Sequence, residues 1–220
     1  MIYCHGLPRV GKKRLFVVRK AKTELPIILT IGHSNRSWQD FLDILLAHRV
    51  ERVVDVRSIP RSRHNPQFNR DTLPKKLRAA KIGYVYLGKL GGLRHARRDS
   101  PNMGWRNASF RGFADYMQTT EFEAGLDRLV KLAGQKRSAI MCAEAVPWRC
   151  HRSLIADALT VRGIQVDDIM TMKRSQPHSL IPFARVQGHC ITYPVGNRSG
   201  GQVHPVSFRE GLRKDRKTKP

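Results

Sequence analysis

The chain has 220 residues, 40% hydrophobic and 26% charged, with a formal net charge of +24 at pH 7. This length and balance exclude wholesale disorder and suit one domain with extensions. The charge excludes an ordinary near-neutral surface and predicts attraction to polyanions such as nucleic acid, nucleotides or anionic membranes. Residues 1–26 hold seven Lys/Arg and one acid, and residues 197–220 hold seven and two. The middle still carries 27 Lys/Arg against 14 acids, so the body is basic as well as the ends. No apolar run approaches the roughly 20 residues of a membrane span. Four scattered cysteines, at 4, 142, 150 and 190, predict reduced thiols in a cytoplasmic setting rather than a disulfide scaffold. Residues 1–25 lack the long apolar core of a signal peptide and read as a basic flexible extension.

Ordered pattern begins at PIILTIGHS (26–34), a strand ending in a Gly-His-Ser turn. A helix follows over 37–50, with Ser37 as its cap and Trp38, Phe41, Leu42, Leu45 and Leu46 on its apolar face. ERVVDVRSIP (51–60) reads as a buried strand closed by proline, and 61–70 as a basic loop. Residues 73–82 form a short helix with Pro74 in its first turn, and 84–93 a strand breaking into a Gly-rich loop. Residues 94–109 show no period. Helical pattern returns over 110–133 as two helices meeting near Thr119 and Thr120. A strand at 138–144, a helix at 150–163 ended by Gly163 and a strand at 164–170 complete the alternation. Residues 185–195 suggest a hairpin around Gly188, and 197–220 a basic disordered tail.

Strands alternating with helices predict an α/β, three-layer fold: a mostly parallel sheet of about five strands with helices on both faces, Rossmann-like or flavodoxin-like. The α/β domain is placed at 26–175, with 176–196 as a segment packing on it.

The unusual residues fall at strand ends. His33 and Ser34 follow the first strand, Asp55 and Arg57 close the second, Gly91 and Gly92 follow the third, and Cys142 and Glu144 close the fourth. In a parallel sheet these ends share one edge, where open α/β folds bind ligands. Cys150, His151 and Arg152 then open a helix, whose first N–H groups attract anions and would lower a cysteine pKa. Cys142, Glu144 and His151 are the candidate catalytic residues. Cys142, Glu144 and Arg152 are expected on the pocket wall, with His151 holding the loop or moving a proton. Cys150 is expected to turn sideways into packing. His33, Ser34, Asp55, Arg57, Gly91, Gly92, Cys150 and Arg152 are the candidate anion-binding residues. The spacing of Cys142, Cys150 and His151 matches no common zinc pattern, so no metal is expected. Cys142 in an apolar strand also reads simply as a small core residue, and Arg61 and Arg63 as a solvated loop.

TIGHSN at 30–35, DVRSIPRSR at 55–63, YLGKLGG at 86–92 and CAEAVPWRCHR at 142–152 resemble the family catalogued as domain of unknown function 488. The resemblance covers about 26–194 and implies an α/β fold with a shared site, without a settled reaction. It also implies a histidine after the valine of the last strand, where this chain has Asp167 and Asp168. The functional expectation is an anion or ligand site at the C-terminal edge of the sheet. One reading makes it an enzyme acting on a phosphate- or sulfur-bearing small molecule or nucleotide. The alternative is a non-catalytic nucleic-acid-associated protein using its basic surface and ends.

Overall fold

The computed structural model describes residues 25–196. The basic extension and tail inferred at either end lie outside the described residues. Six strands form one sheet in the order β3-β2-β4-β1-β5-β6. They are β1 (Ile28–Gly32), β2 (Arg52–Asp55), β3 (Gly83–Tyr86), β4 (Ser138–Cys142), β5 (Val166–Thr171) and β6 (Arg174–Pro177). The first five run parallel, and β6 pairs antiparallel with β5. The expected fold class stands, with one strand more than the pattern suggested. Arg174–Pro177 (RSQP) carries no apolar alternation because it is a largely exposed edge strand ending in proline. A two-stranded ribbon of β7 (Arg185–Gln187) and β8 (Cys190–Thr192) turns at Gly188, whose φ is +59°.

Alternate residues of the central parallel strands enter opposite cores, as the period of two requires. Leu29, Ile31, Val53, Ala139 and Met141 face α1 (Trp38–Ala47) and α2 (Leu73–Ala79). Ile28, Val54, Ile140 and Val166 face α3 (Ala108–Tyr116), α4 (Thr120–Ala133) and α5 (Arg152–Thr160). Ser37 caps α1 through a bond from Asp40 N–H, and Thr119 caps α4. In α1 the buried residues are Phe41, Ile44 and Leu45, while Leu46 is exposed. A period of 3.6 counted from Phe41 selects 44 and 45, which corrects the face read from sequence.

Two pairings fix the working edge. Gly32 lies beside Cys142, and Asp55 lies between Met141 and Tyr86. β2 leads outward to β3, whereas its neighbour β4 leads back over β1 to β5. Connections leaving in opposite directions open a crevice between the C-terminal ends of β2 and β4. Gly32 has no side chain because none fits there. A Cβ would stand 1.8 Å from the Glu144 carbonyl oxygen, so the loop after β4 lies directly on the end of β1. Among the described residues no helix is long and apolar enough to cross a membrane.

Candidate active site

A cavity of about 380 Å³ occupies that crevice. Arg57, Ser58 and Ile59 wall it after β2, Gly92 and Leu93 after β3, and Ser109 and Phe110 at the start of α3. Its floor is Cys142, Cys150 and His151, with Glu144 and Arg149 beside them.

The floor has a defined polarity. His151 Nε2 lies 3.1 Å from the Val56 carbonyl oxygen, which only accepts. Nε2 therefore carries the proton of the neutral ring, and Nδ1 presents its lone pair. Nδ1 is 3.8 Å from Cys142 Sγ and 3.7 Å from Cys150 Sγ. Two thiols thus share one acceptor. The hydrogen bond with Cys142 lowers the Cys150 pKa well below its ordinary value against burial, and Arg152 pulls the same way. Cys142 is pushed well up, first by its hydrogen bond with Cys150 and then by burial. Cys150 faces the cavity instead of turning sideways, because the short 3-10 turn Pro147–Arg149 delivers it beside Cys142 before α5 begins.

A second constellation braces the wall. Asp55 is fully buried and accepts four bonds. Arg57 donates Nε–H and its backbone N–H to Oδ1 (2.9 and 3.1 Å) and Nη2–H to Oδ2 (2.6 Å), and Tyr84 donates its hydroxyl to Oδ2 (2.9 Å). Arg57 Nη2 also donates to the Phe68 carbonyl (2.7 Å). Arg57 Nη1 donates to His33 Nε2 at 3.1 Å, and His33 Nδ1–H donates to the Ser34 carbonyl at 2.8 Å. A guanidinium donates only, so His33 must be neutral. Burial, with the Arg57 charge adding to it, lowers the His33 pKa to about 4. The ring stacks on Phe68 with centroids 4.3 Å apart.

The predicted site residues thus separate into two groups. Cys142, Glu144, Cys150, His151, Arg57 and Gly92 meet in the cavity. Arg152 does not line it, and this corrects the expectation. Its side chain is fully buried and donates Nη1–H to Thr30 Oγ1 (3.0 Å) and Nη2–H to the Glu144 carbonyl (2.6 Å). The strand-end loop needs its carbonyls satisfied, and Arg152 does this from the first turn of α5. His33 and Asp55 stand behind Arg57, holding it, and are not among the cavity-lining residues. Ser34 sits at a left-handed turn with φ of 50°, its N–H donated to the Ala143 carbonyl at 2.8 Å, so it clamps the loop from outside. Gly91 packs on Ser58, where a Cβ would meet Ser58 Oγ at 2.5 Å, and shapes the wall from behind.

Sequence reasoning missed a buried polar chain behind the floor. Thr30 donates its hydroxyl to Asp168 (2.6 Å), and His178, just after β6, lies between Asp168 (3.4 Å) and Asp157 (2.7 Å). Tyr193 donates its hydroxyl to Asp157 at 2.7 Å. Burial alone would lower the His178 pKa. The bonds it donates to Asp157 and Asp168 outweigh it and raise the value to about 9. Of the two acids that follow Val166, Asp168 receives His178 from just beyond the adjacent strand. The signal was an acid in a buried strand, costly unless paired.

Residues 37–159 match the family described as Domain of unknown function DUF488. The chain belongs to this family. The DUF488 match spans three of the four recognised motifs, including the Asp55–Arg57 pair and the Cys142–Arg152 loop. No curated protein and no solved structure matches the chain significantly.

Proposed function

We propose that this chain is a thiol-dependent enzyme that transfers sulfur from a small anionic sulfur-bearing molecule bound in the strand-edge cavity. The observation that carries the reading is the convergence of Cys142, Cys150 and the Nδ1 lone pair of His151 on one cavity floor. Cys150 is the attacking thiolate. It forms a bond to the outer sulfur of a persulfide or thiosulfate-type donor, and the donor's S–S bond breaks with its electron pair leaving on thiolate or sulfite. The Cys150 persulfide passes its outer sulfur to an acceptor thiolate, and the electron pair returns to Cys150. No outside oxidant is consumed. Arg57 and Arg149 face the donor's anionic end, and His151 Nδ1 takes or returns the thiol proton.

Sulfur chemistry fits better than phosphate chemistry because three of the amides around the turn are occupied. Arg149 N–H bonds to the Val146 carbonyl, Cys150 N–H to Pro147 and Ser153 N–H to Cys150, at 3.0–3.1 Å. A phosphate cradle needs such donors free. The test is intact-protein mass spectrometry after incubating the reduced full chain with thiosulfate or glutathione persulfide. The expected result is a gain of one sulfur atom on Cys150, released by added thiol and absent in Cys150→Ser. No gain with the fold intact, or a gain that survives Cys150→Ser, refutes the reading.

A further inference from the structure

We infer that Cys142 Sγ, Cys150 Sγ and His151 Nδ1 form a Cys2His site for a zinc-class divalent cation, with its fourth coordination position open to the cavity. Four observations carry this. The three donor atoms lie within 4.8 Å of one another. A tetrahedral zinc with bonds of about 2.3 Å to sulfur and about 2.0–2.1 Å to nitrogen spaces such donors roughly 3.6–3.8 Å apart. The two Sγ–Nδ1 distances are 3.8 and 3.7 Å, so the ion enters with little movement of either pair.

The second observation is the tautomer. Nε2–H is held by the Val56 carbonyl, which leaves Nδ1 as the free lone pair and fixes the ring plane. Metal-bound histidines are oriented this way, by a carbonyl or carboxylate on the far nitrogen. Third, Gly92 keeps the approach to Nδ1 clear, since a Cβ there would stand 2.5 Å from that atom. Fourth, the donor set is selective. Two thiolates and an imidazole favour zinc and other borderline or soft ions over magnesium and calcium, which take oxygen ligands. Sequence spacing hid the site because Cys142 comes from a strand and the other two donors from the start of the next helix.

Zinc and a sulfur donor would compete for the same thiolates, so metal occupancy switches the thiol centre off. The metal site itself does not depend on the sulfur-transfer reading, because its test uses no substrate.

The experiment titrates Co²⁺ into the reduced, chelator-treated full chain. The protein carries Cys4→Ser and Cys190→Ser so that only two thiols remain. The expected result is one Co²⁺ per chain, with a thiolate-to-cobalt charge-transfer band and intense tetrahedral d–d bands. Stoichiometric Zn²⁺ displaces these bands, and Mg²⁺ does not. The band is lost in His151→Asn and in either remaining Cys→Ser change. X-ray absorption on the zinc-loaded protein keeps the question open to decision even where a variant fails to fold. Two sulfur neighbours and at least one nitrogen neighbour support the site. Absence of the band, or a first shell of oxygen and nitrogen only, overturns it. A negative cobalt result beside a positive persulfide result removes the metal alone, and the reverse removes sulfur transfer alone.

Discussion

Replacing Asp55 by asparagine tests whether the wall of the cavity is held by charge. Asparagine matches the shape of aspartate, and its one remaining oxygen can keep the bonds from Arg57 Nε–H and N–H. Its amide nitrogen then faces Arg57 Nη2, a donor, where Oδ2 had accepted at 2.6 Å. Tyr84 can rotate its hydroxyl and accept, but Arg57 Nη2 cannot. The change therefore leaves a guanidinium, 4% exposed, without its counter-charge. Breaking a buried pair from one side costs about 3–5 kcal/mol, which for a chain of this size lowers Tm by about 6–20 °C. Urea denaturation followed by far-UV circular dichroism and by tryptophan fluorescence gives the difference directly. Changing both partners to apolar residues, Asp55→Leu with Arg57→Met, should cost clearly less than the single change, because no charge is stranded. A stability for Asp55→Asn within about 1 kcal/mol of wild type would refute the argument, because such a loss is no larger than that of an ordinary hydrogen bond.

The His178 imidazolium, with its pKa raised to about 9 from 6.5, stabilises the fold fully below pH 6.5. That contribution is lost as pH rises through about 9, at no more than about 1.4 kcal/mol per pH unit. Denaturation of wild type and His178→Gln across pH 6–10 should show the gap between them closing. His33 runs the opposite way, since with its pKa lowered to about 4 it stays neutral in the fold while the unfolded chain takes up a proton near 6.5. Stability should therefore fall between pH 6.5 and 4, and the His33 ring resonances in an NMR titration should not move until about pH 4. Gly92→Ala places a Cβ 2.5 Å from His151 Nδ1. It should slow labelling of Cys150 by an alkylating probe several-fold while leaving exposed Cys190 unchanged as the internal control. Binding to duplex DNA, measured by fluorescence anisotropy, should weaken steeply with salt, by about −0.9 in log–log slope per phosphate neutralised. Changing the fourteen Lys/Arg of 1–26 and 197–220 to glutamine should flatten the slope without altering persulfide formation on Cys150.

The layered fold was legible because its information is periodic. Apolar runs such as 138–142 and the caps Ser37 and Thr119 mark elements locally, and β/α alternation leaves few topologies. The working edge followed from that alternation, since residues after parallel strands share one end. What sequence could not supply was the choice among neighbours in space. Arg152 and Arg149 look equivalent on paper, yet three positions around the start of α5 bury one completely and leave the other in the cavity wall. The Asp168–His178–Asp157 chain joins a strand, a helix and the residue after an edge strand, and only an acid in a buried strand hinted at it. Edge strand β6 was missed because nothing apolar is required of a strand that faces water.

The strand order also sets a timetable for biosynthesis. Leu29 pairs with Ala139 and Val53 with the same residue from the other side, so β1 and β2 have no common neighbour until β4 exists. About 110 positions separate Leu29 from Ala139, and a ribosome adding 5–20 residues per second needs roughly 5–20 s to cover that stretch. During that interval the nascent chain carries two apolar strands with open edges, the kind of surface that chaperones hold and that aggregates when they do not. Once β4 emerges it closes both gaps in one step, and the two sulfur atoms and the imidazole of the cavity floor arrive with it. The centre therefore waits for β4 and the start of α5, and a chain interrupted before residue 138 lacks Cys142, Cys150 and His151 altogether.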